Sequence, residues 1–254
     1  MLLAIDIGNT NIVIGVYHQD EWIYHWRVHT DQNYMADEYA VLFFHLFHEV
    51  GLSFEDFDKV VLSSVVPPLN HVFLGMLEAR CHCPILVVNH ELDTGLSIQV
   101  DPPDTLGGDL IANSVAAYNW FQSNCLAVDF GTATTVMAIK APGYLLGGSV
   151  CAGLTTTANA LATGASKLTQ VAMDPPQNVI GNGTTQAMQS GLILGHISMV
   201  EGLVARMKHE LGDPQAKVVA TGGLSQRIVD LTDCFDRVAP WLTLDGLRLI
   251  AQRN

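Results

Sequence analysis

Two short stretches of this chain carry the same polar pattern at the end of an apolar run. The first is Asp6-Ile7-Gly8-Asn9-Thr10, after Leu2-Leu3-Ala4-Ile5. The second is Asp129-Phe130-Gly131-Thr132-Ala133-Thr134-Thr135, after Leu126-Ala127-Val128. In each, an Asp closes the run, a Gly follows two residues on, and hydroxyl or amide side chains come next. Gly lets a backbone turn with positive φ and approach a ligand closely. Turn N–H groups and Thr hydroxyls converging on one point suit phosphate oxygens. A carboxylate beside them can hold Mg²⁺, usually through water. One such turn is an ordinary hairpin. Two with matched flanks predict phosphate binding, and two facing each other would clamp a nucleoside triphosphate between two domains. No Gly-x-x-x-x-Gly-Lys-Ser/Thr run is present, so the pattern is not of the Walker type.

The elements that must position these turns follow from periodicity. Residues 2–7, 12–17 and 22–28 read as three antiparallel strands. Residues 35–50 carry helical periodicity that Gly51 stops. A buried strand is predicted over 59–66, a helix over 69–80, a strand over 85–88 and a helix growing out of the glycines near 105–120. The order then restarts, with strands near 125–129, 134–139 and 144–150, helices over 155–165, 184–210 and 223–231, and a strand at 218–220. Asp6 and Asp129 stand 123 residues apart, so the second half repeats the first. We expect domains at 1–118 and 119–254.

Composition narrows the function. The 254 residues are 49% hydrophobic and 15% charged, enough to bury a large core. A net charge of −13 with only 12 Lys and Arg argues against a nucleic-acid partner, because phosphate backbones are bound mainly by cations. No apolar run reaches the ~20 residues that span a bilayer, and no secretory signal is expected. Five scattered Cys suit a reducing, cytoplasmic setting. Cys81-His82-Cys83 has the wrong spacing for structural zinc, and His45, His48 and Glu49 read as a helix face.

The whole chain resembles the type III pantothenate kinases, within the actin–hexokinase–acetate kinase superfamily. The residues carrying this are Asp6-Ile7-Gly8-Asn9-Thr10-Asn11, Ser63-Ser64-Val65-Val66-Pro67, Gly107-Gly108-Asp109, the second turn from Asp129 to Thr135, Gly147-Gly148, Ile180-Gly181 with Thr184, Thr221-Gly222-Gly223-Leu224, and the tail Leu242 to Leu247. The resemblance implies an α/β fold of two similar actin/hexokinase-like (ribonuclease H-like) domains, each a mixed five-stranded sheet with flanking helices. It also implies ATP-dependent phosphorylation of pantothenate, the first step of coenzyme A biosynthesis, by a homodimer that needs Mg-ATP and a monovalent cation, potassium or ammonium.

The resemblance carries residue roles as well. Asp6, Ile7, Gly8, Asn9, Thr10, Asn11, Ile12 and Val13 would hold the phosphates and Mg²⁺ of ATP, with Thr132 contacting ATP from the second turn. Asp129 would help bind the monovalent cation. Gly107, Gly108, Asp109 and Leu110 would line the acceptor site, with Asp109 the catalytic base. Thr184 would reach substrate across the dimer interface, and Thr221-Gly222-Gly223 would lie near the adenosine. Asp109 also reads as a helix N-cap, and a carboxylate at a helix start is expected to keep a low pKa.

Three positions depart from the family pattern. Leu110 stands where Arg usually follows the base, Val100 where Tyr usually precedes the Pro of the preceding loop, and Ala152 where Pro is usual. Leu offers no donor to replace the several of Arg. These changes leave two alternatives open, a kinase of a different small alcohol and a non-catalytic nucleotide-binding paralogue.

Overall fold

The computed structural model describes residues 1–165, 168 and 170–254. The chain forms two compact units: Met1–Ala116 with Leu242–Asn254, and Ala117–Trp241.

The first unit opens with β1 (Leu2–Ile7), β2 (Asn11–His18) and β3 (Glu21–His29), followed by α1 (Ala36–Glu49), β4 (Lys59–Ser64), α2 (Pro67–Arg80), β5 (Ile85–Val87), the short β6 (Ser97–Ile98) and the start of α3 (Gly108–Phe121). Its sheet has the order β3-β2-β1-β4-β5. β1 pairs antiparallel with β2 and parallel with β4. Being central, β1 buries Leu3, Ala4, Ile5 and Ile7 fully, which is why it reads as a continuous apolar run. α1 turns Tyr39, Ala40, Phe43 and Phe47 inward at helical spacing. α2 begins at two prolines, whose missing N–H groups are orphans of a first turn in any case.

The second unit holds the rest of α3, then β7 (Cys125–Phe130), β8 (Ala133–Lys140), β9 (Tyr144–Ala152), α4 (Leu154–Gly164), α5 (Thr184–Gln189), α6 (Gly195–Glu210), β10 (Lys217–Thr221), α7 (Ser225–Ile228) and β11 (Arg237–Val238). Its strands run β11-β10-β7-β8-β9. β7, β8 and β9 form an antiparallel meander, and β7, β10 and β11 are parallel. This is the topology of the first unit again. Even the register shift in the outer hairpin recurs, at Val16/Tyr17 and at Ala138/Ile139.

Two elements differ from the sequence expectation. The helix expected over 184–210 is interrupted by a π-turn, Ser190–Leu194, which inserts a residue between α5 and α6. The domain expected over 119–254 includes the tail, yet Leu242–Arg253 forms α8 and belongs to the first compact unit. The cause is its apolar face: Leu242, Leu244, Leu247 and Ile250 are fully buried, each contributing about 1.5–3 kcal/mol. Gly246 permits the close approach, because a Cβ there would stand 1.9 Å from the Ala112 carbonyl oxygen.

Candidate active site

In the first unit the strand ends converge. Gly8 N–H donates to the Asn11 carbonyl at 3.0 Å and closes the turn between β1 and β2. Thr30, just past β3 and buried, buckles that turn. Its hydroxyl donates to Gly8 O at 2.7 Å and its N–H to Thr10 O at 3.0 Å. Asn9 and Thr10 are left exposed at the tip, whereas the Ile7 and Ile12 side chains are fully buried. Those two isoleucines anchor the turn and offer a ligand only backbone. Val13 pairs with Asp6 across the hairpin. On the other side Asp6 pairs with Ser63 of β4, and the Ser63 hydroxyl donates to Asp6 Oδ1.

The corner Gly107-Gly108-Asp109 meets the same strand. A Cβ on Gly108 would lie 2.9 Å from Val88 O and 3.2 Å from Ser63 Cβ; one on Gly107 would lie 2.4 Å from Asp109 Oδ1. Only glycine lets this backbone sit so close. Asp109 is not the N-cap that the sequence suggests: α3 already begins at Gly108, so Asp109 lies in its first turn, where Oδ1 accepts from the Leu110 N–H at 2.8 Å. The expected low pKa does not hold, however. Burial of the carboxyl pushes its pKa up, outweighing the backbone N–H groups that favour the charged form. A carboxylate so tuned is a better proton acceptor. Leu110 is half-buried beside it, and Val100 is half-buried ahead of the 3₁₀ turn Pro103–Thr105.

The second unit builds its turn in the same manner. Gly131 N–H donates to Ala133 O at 3.1 Å. The Thr132 carbonyl accepts from Gly153 N–H at 3.1 Å and from Thr156 Oγ1 at 2.7 Å, so the start of α4 braces the loop. Beneath it, Thr134 Oγ1 shares a 2.9 Å hydrogen bond with Nε2 of the buried His196 on α6. Burial lowers the His196 pKa, which keeps the ring neutral near pH 7. Asp129 is flanked by Thr221 of β10 and by Thr135 of β8. Gly222, at φ +92°, lies so close that a Cβ would stand 2.4 Å from Asp129 Oδ1 and 2.6 Å from Phe130 N. Thr135 Oγ1 is buried and has no hydrogen-bond partner among the described residues. Thr184 opens α5 and is exposed.

The structure thus joins Asp6, Gly8, Asn11, Gly107, Gly108 and Asp109 in one unit, and Asp129 with Thr132 in the other. Ser63, Thr30, His196 and Thr156 carried no role in the sequence reading. Ser63 alone had a visible signal there, as part of Ser63 to Pro67.

A repeated unit of this topology, with a polar turn after each first strand, defines a fold of the actin–hexokinase class. Solved structures agree. ROK hexokinase from Thermus thermophilus superposes with a TM-score of 0.52 at 14% identity, over 99% of this chain and 98% of that one. A Baf-family protein from Campylobacter jejuni gives 0.64 at 16%, over 98% and 97%. The sequence model of the type III pantothenate kinases matches residues 2–206. Curated type III pantothenate kinases from Roseiflexus sp. (strain RS-1) and Moorella thermoacetica are 46% and 43% identical over 254 residues, covering 100% of this chain and 99% and 100% of theirs. The chain belongs to the type III pantothenate kinase family, whose members phosphorylate pantothenate in coenzyme A biosynthesis.

Proposed function

We propose that this chain transfers the γ-phosphoryl group of ATP to the primary hydroxyl of pantothenate, with Asp109 as general base. The observation that carries this beyond family membership is the corner Gly107-Gly108-Asp109, where the Gly108 backbone sits close against Ser63 and the next residue carries a carboxylate of raised pKa. A primary alcohol is a poor nucleophile. A carboxylate within reach orients it and accepts its proton as attack proceeds. Phosphoryl transfer otherwise needs alignment and charge neutralisation.

Asp6 to Val13 form the proposed phosphate turn for Mg-ATP, with Thr132 of the second turn also contacting ATP. The donor set fits a divalent ion: a carboxylate with one oxygen held by Ser63, beside a turn whose glycine leaves the backbone open. When bound, Mg²⁺ would neutralise phosphate charge. Lys and Arg are absent from both turns, so turn amides carry the rest of that task. A monovalent cation, potassium or ammonium, is assigned to Asp129. The unpartnered Thr135 hydroxyl across the hairpin supports an oxygen-rich site there. Thr184 is assigned to substrate in a homodimer, and the cytoplasm is the proposed setting. Among the described residues no helix is long and apolar enough to cross a membrane.

A second reading, a kinase of another small alcohol, rests on Val100, Leu110 and Ala152. Mass spectrometry of products from a panel of pantothenate, pantothenamides and unrelated primary alcohols separates the two. Phosphopantothenate as the dominant product supports the first. Phosphorylation confined to another alcohol overturns it.

A further inference from the structure

We propose that Ser63 is the positioning residue that ties the metal-side carboxylate to the acceptor-side base. The inference rests on the kinase reading above and deepens it. Three observations carry it. Ser63 is completely buried at the end of β4, although it is polar. Its hydroxyl donates to Asp6 Oδ1, and the two residues are register partners in the parallel β1–β4 ladder. Its Cβ lies close to Gly108, where an added Cβ would meet it at 3.2 Å. Asp109 is the next residue. One small side chain therefore touches both groups that must be aligned for transfer, the carboxylate assigned to Mg-ATP and the corner that presents the base.

The chemistry of serine explains both contacts. The hydroxyl fixes one oxygen of Asp6 and so sets the orientation of the carboxylate assigned to Mg-ATP. A carboxylate held in this way loses less freedom when a hydrated cation binds. The absence of further atoms on Cβ leaves room for the Gly108 backbone. Alanine preserves the room and removes the donor. Threonine preserves the donor and adds a methyl group in the crowded space. The two requirements can therefore be separated.

The test uses Ser63→Ala and Ser63→Thr in the full-length protein. Mg²⁺-dependent ATP binding is read by calorimetry, and KM and kcat are read for pantothenate. Loss of a hydrogen bond to a charged group predicts a roughly tenfold rise in the Mg²⁺ concentration that half-saturates ATP binding by Ser63→Ala, with the pantothenate KM little changed. Ser63→Thr is expected to keep the wild-type Mg²⁺ dependence within about threefold while raising the pantothenate KM. Equal Mg²⁺ dependence in the wild type and Ser63→Ala overturns the proposal, as do equal shifts in the two variants. Melting temperatures show whether each variant is folded. A wild-type protein that bound Mg-ATP but left pantothenate untouched would overturn the substrate reading alone. One that bound no Mg-ATP would overturn both.

Discussion

Replacing Gly222 by Ala isolates what the second turn demands of its neighbour. Gly222 has φ +92°, where an L-residue costs about 1–2 kcal/mol. A Cβ there would also stand 2.4 Å from Asp129 Oδ1 and 2.6 Å from both Phe130 N and Phe130 O. Ordinary contact begins near 3.5 Å, so strand β7 or the loop after β10 must yield by about 1 Å, an overpacking cost of about 1–3 kcal/mol. The sum is roughly 2–5 kcal/mol, or a fall in Tm of roughly 5–15 °C for a chain of this size. Gly212 supplies the control. It lies in the same unit at φ +68° with nothing within 4 Å of an added Cβ. Gly212→Ala therefore carries the backbone cost alone, and its Tm should fall by roughly 2–5 °C. Differential scanning calorimetry measures both. Turnover in potassium, ammonium or sodium buffer then tests the link to Asp129, since the displaced carboxylate should cost Gly222→Ala the proposed monovalent-cation activation. If Gly222→Ala loses no more stability than Gly212→Ala and keeps its cation response, the close packing of Asp129 against Gly222 is refuted.

Asp109 should show a trade of stability for function. Burial raises its pKa, so holding it ionised opposes folding above that raised value, and the penalty disappears below the unfolded value near 3.9. Asp109→Asn should therefore melt higher than wild type at neutral pH, with the gap closing as pH falls, while kcat drops by about 10²–10⁴. An unchanged kcat would remove Asp109 from catalysis. Wild-type kcat/KM should fall as acid protonates the base, below a midpoint higher than that of an ordinary carboxyl. Thr30→Val removes the donor to Gly8 O and should raise the ATP KM about fivefold, with little change for pantothenate; equal changes in both would mean general destabilisation. Leu110→Arg restores donors beside the acceptor site and should lower the pantothenate KM; an unchanged or higher KM counts against that placement.

The features readable in the sequence are the local ones. The two Asp-x-Gly turns, both meanders and α1 follow from spacing along a few consecutive residues, and the structure places them within a residue or two. The roles of Ser63 and Thr30 do not follow in this way. Ser63 meets Asp6 only through a parallel pairing 57 residues away, and Thr30 reaches Gly8 through the return of β3. Register across such separations is a tertiary property that no local pattern encodes. The π-turn at Ser190–Leu194 has only the Ser190-Gly191 pair to announce it, which weakens a helix without specifying a π-turn; it appears where Met188, Leu192 and Ile193 all turn into the core of the second unit. The tail helix α8 shows its apolar spacing plainly, but spacing does not say which sheet it will cover. For Asp109 the helix-terminal position is visible in sequence and predicts a low pKa, whereas burial is not visible there. In the structure burial is the larger effect.

The central claim is tested most directly by ATP turnover of the purified protein with and without pantothenate, in potassium or ammonium against sodium buffer, alongside Asp109→Asn. The account predicts turnover that requires pantothenate, rises with potassium or ammonium, and is lost in the variant. Turnover indifferent to pantothenate, or undiminished in Asp109→Asn, would contradict it.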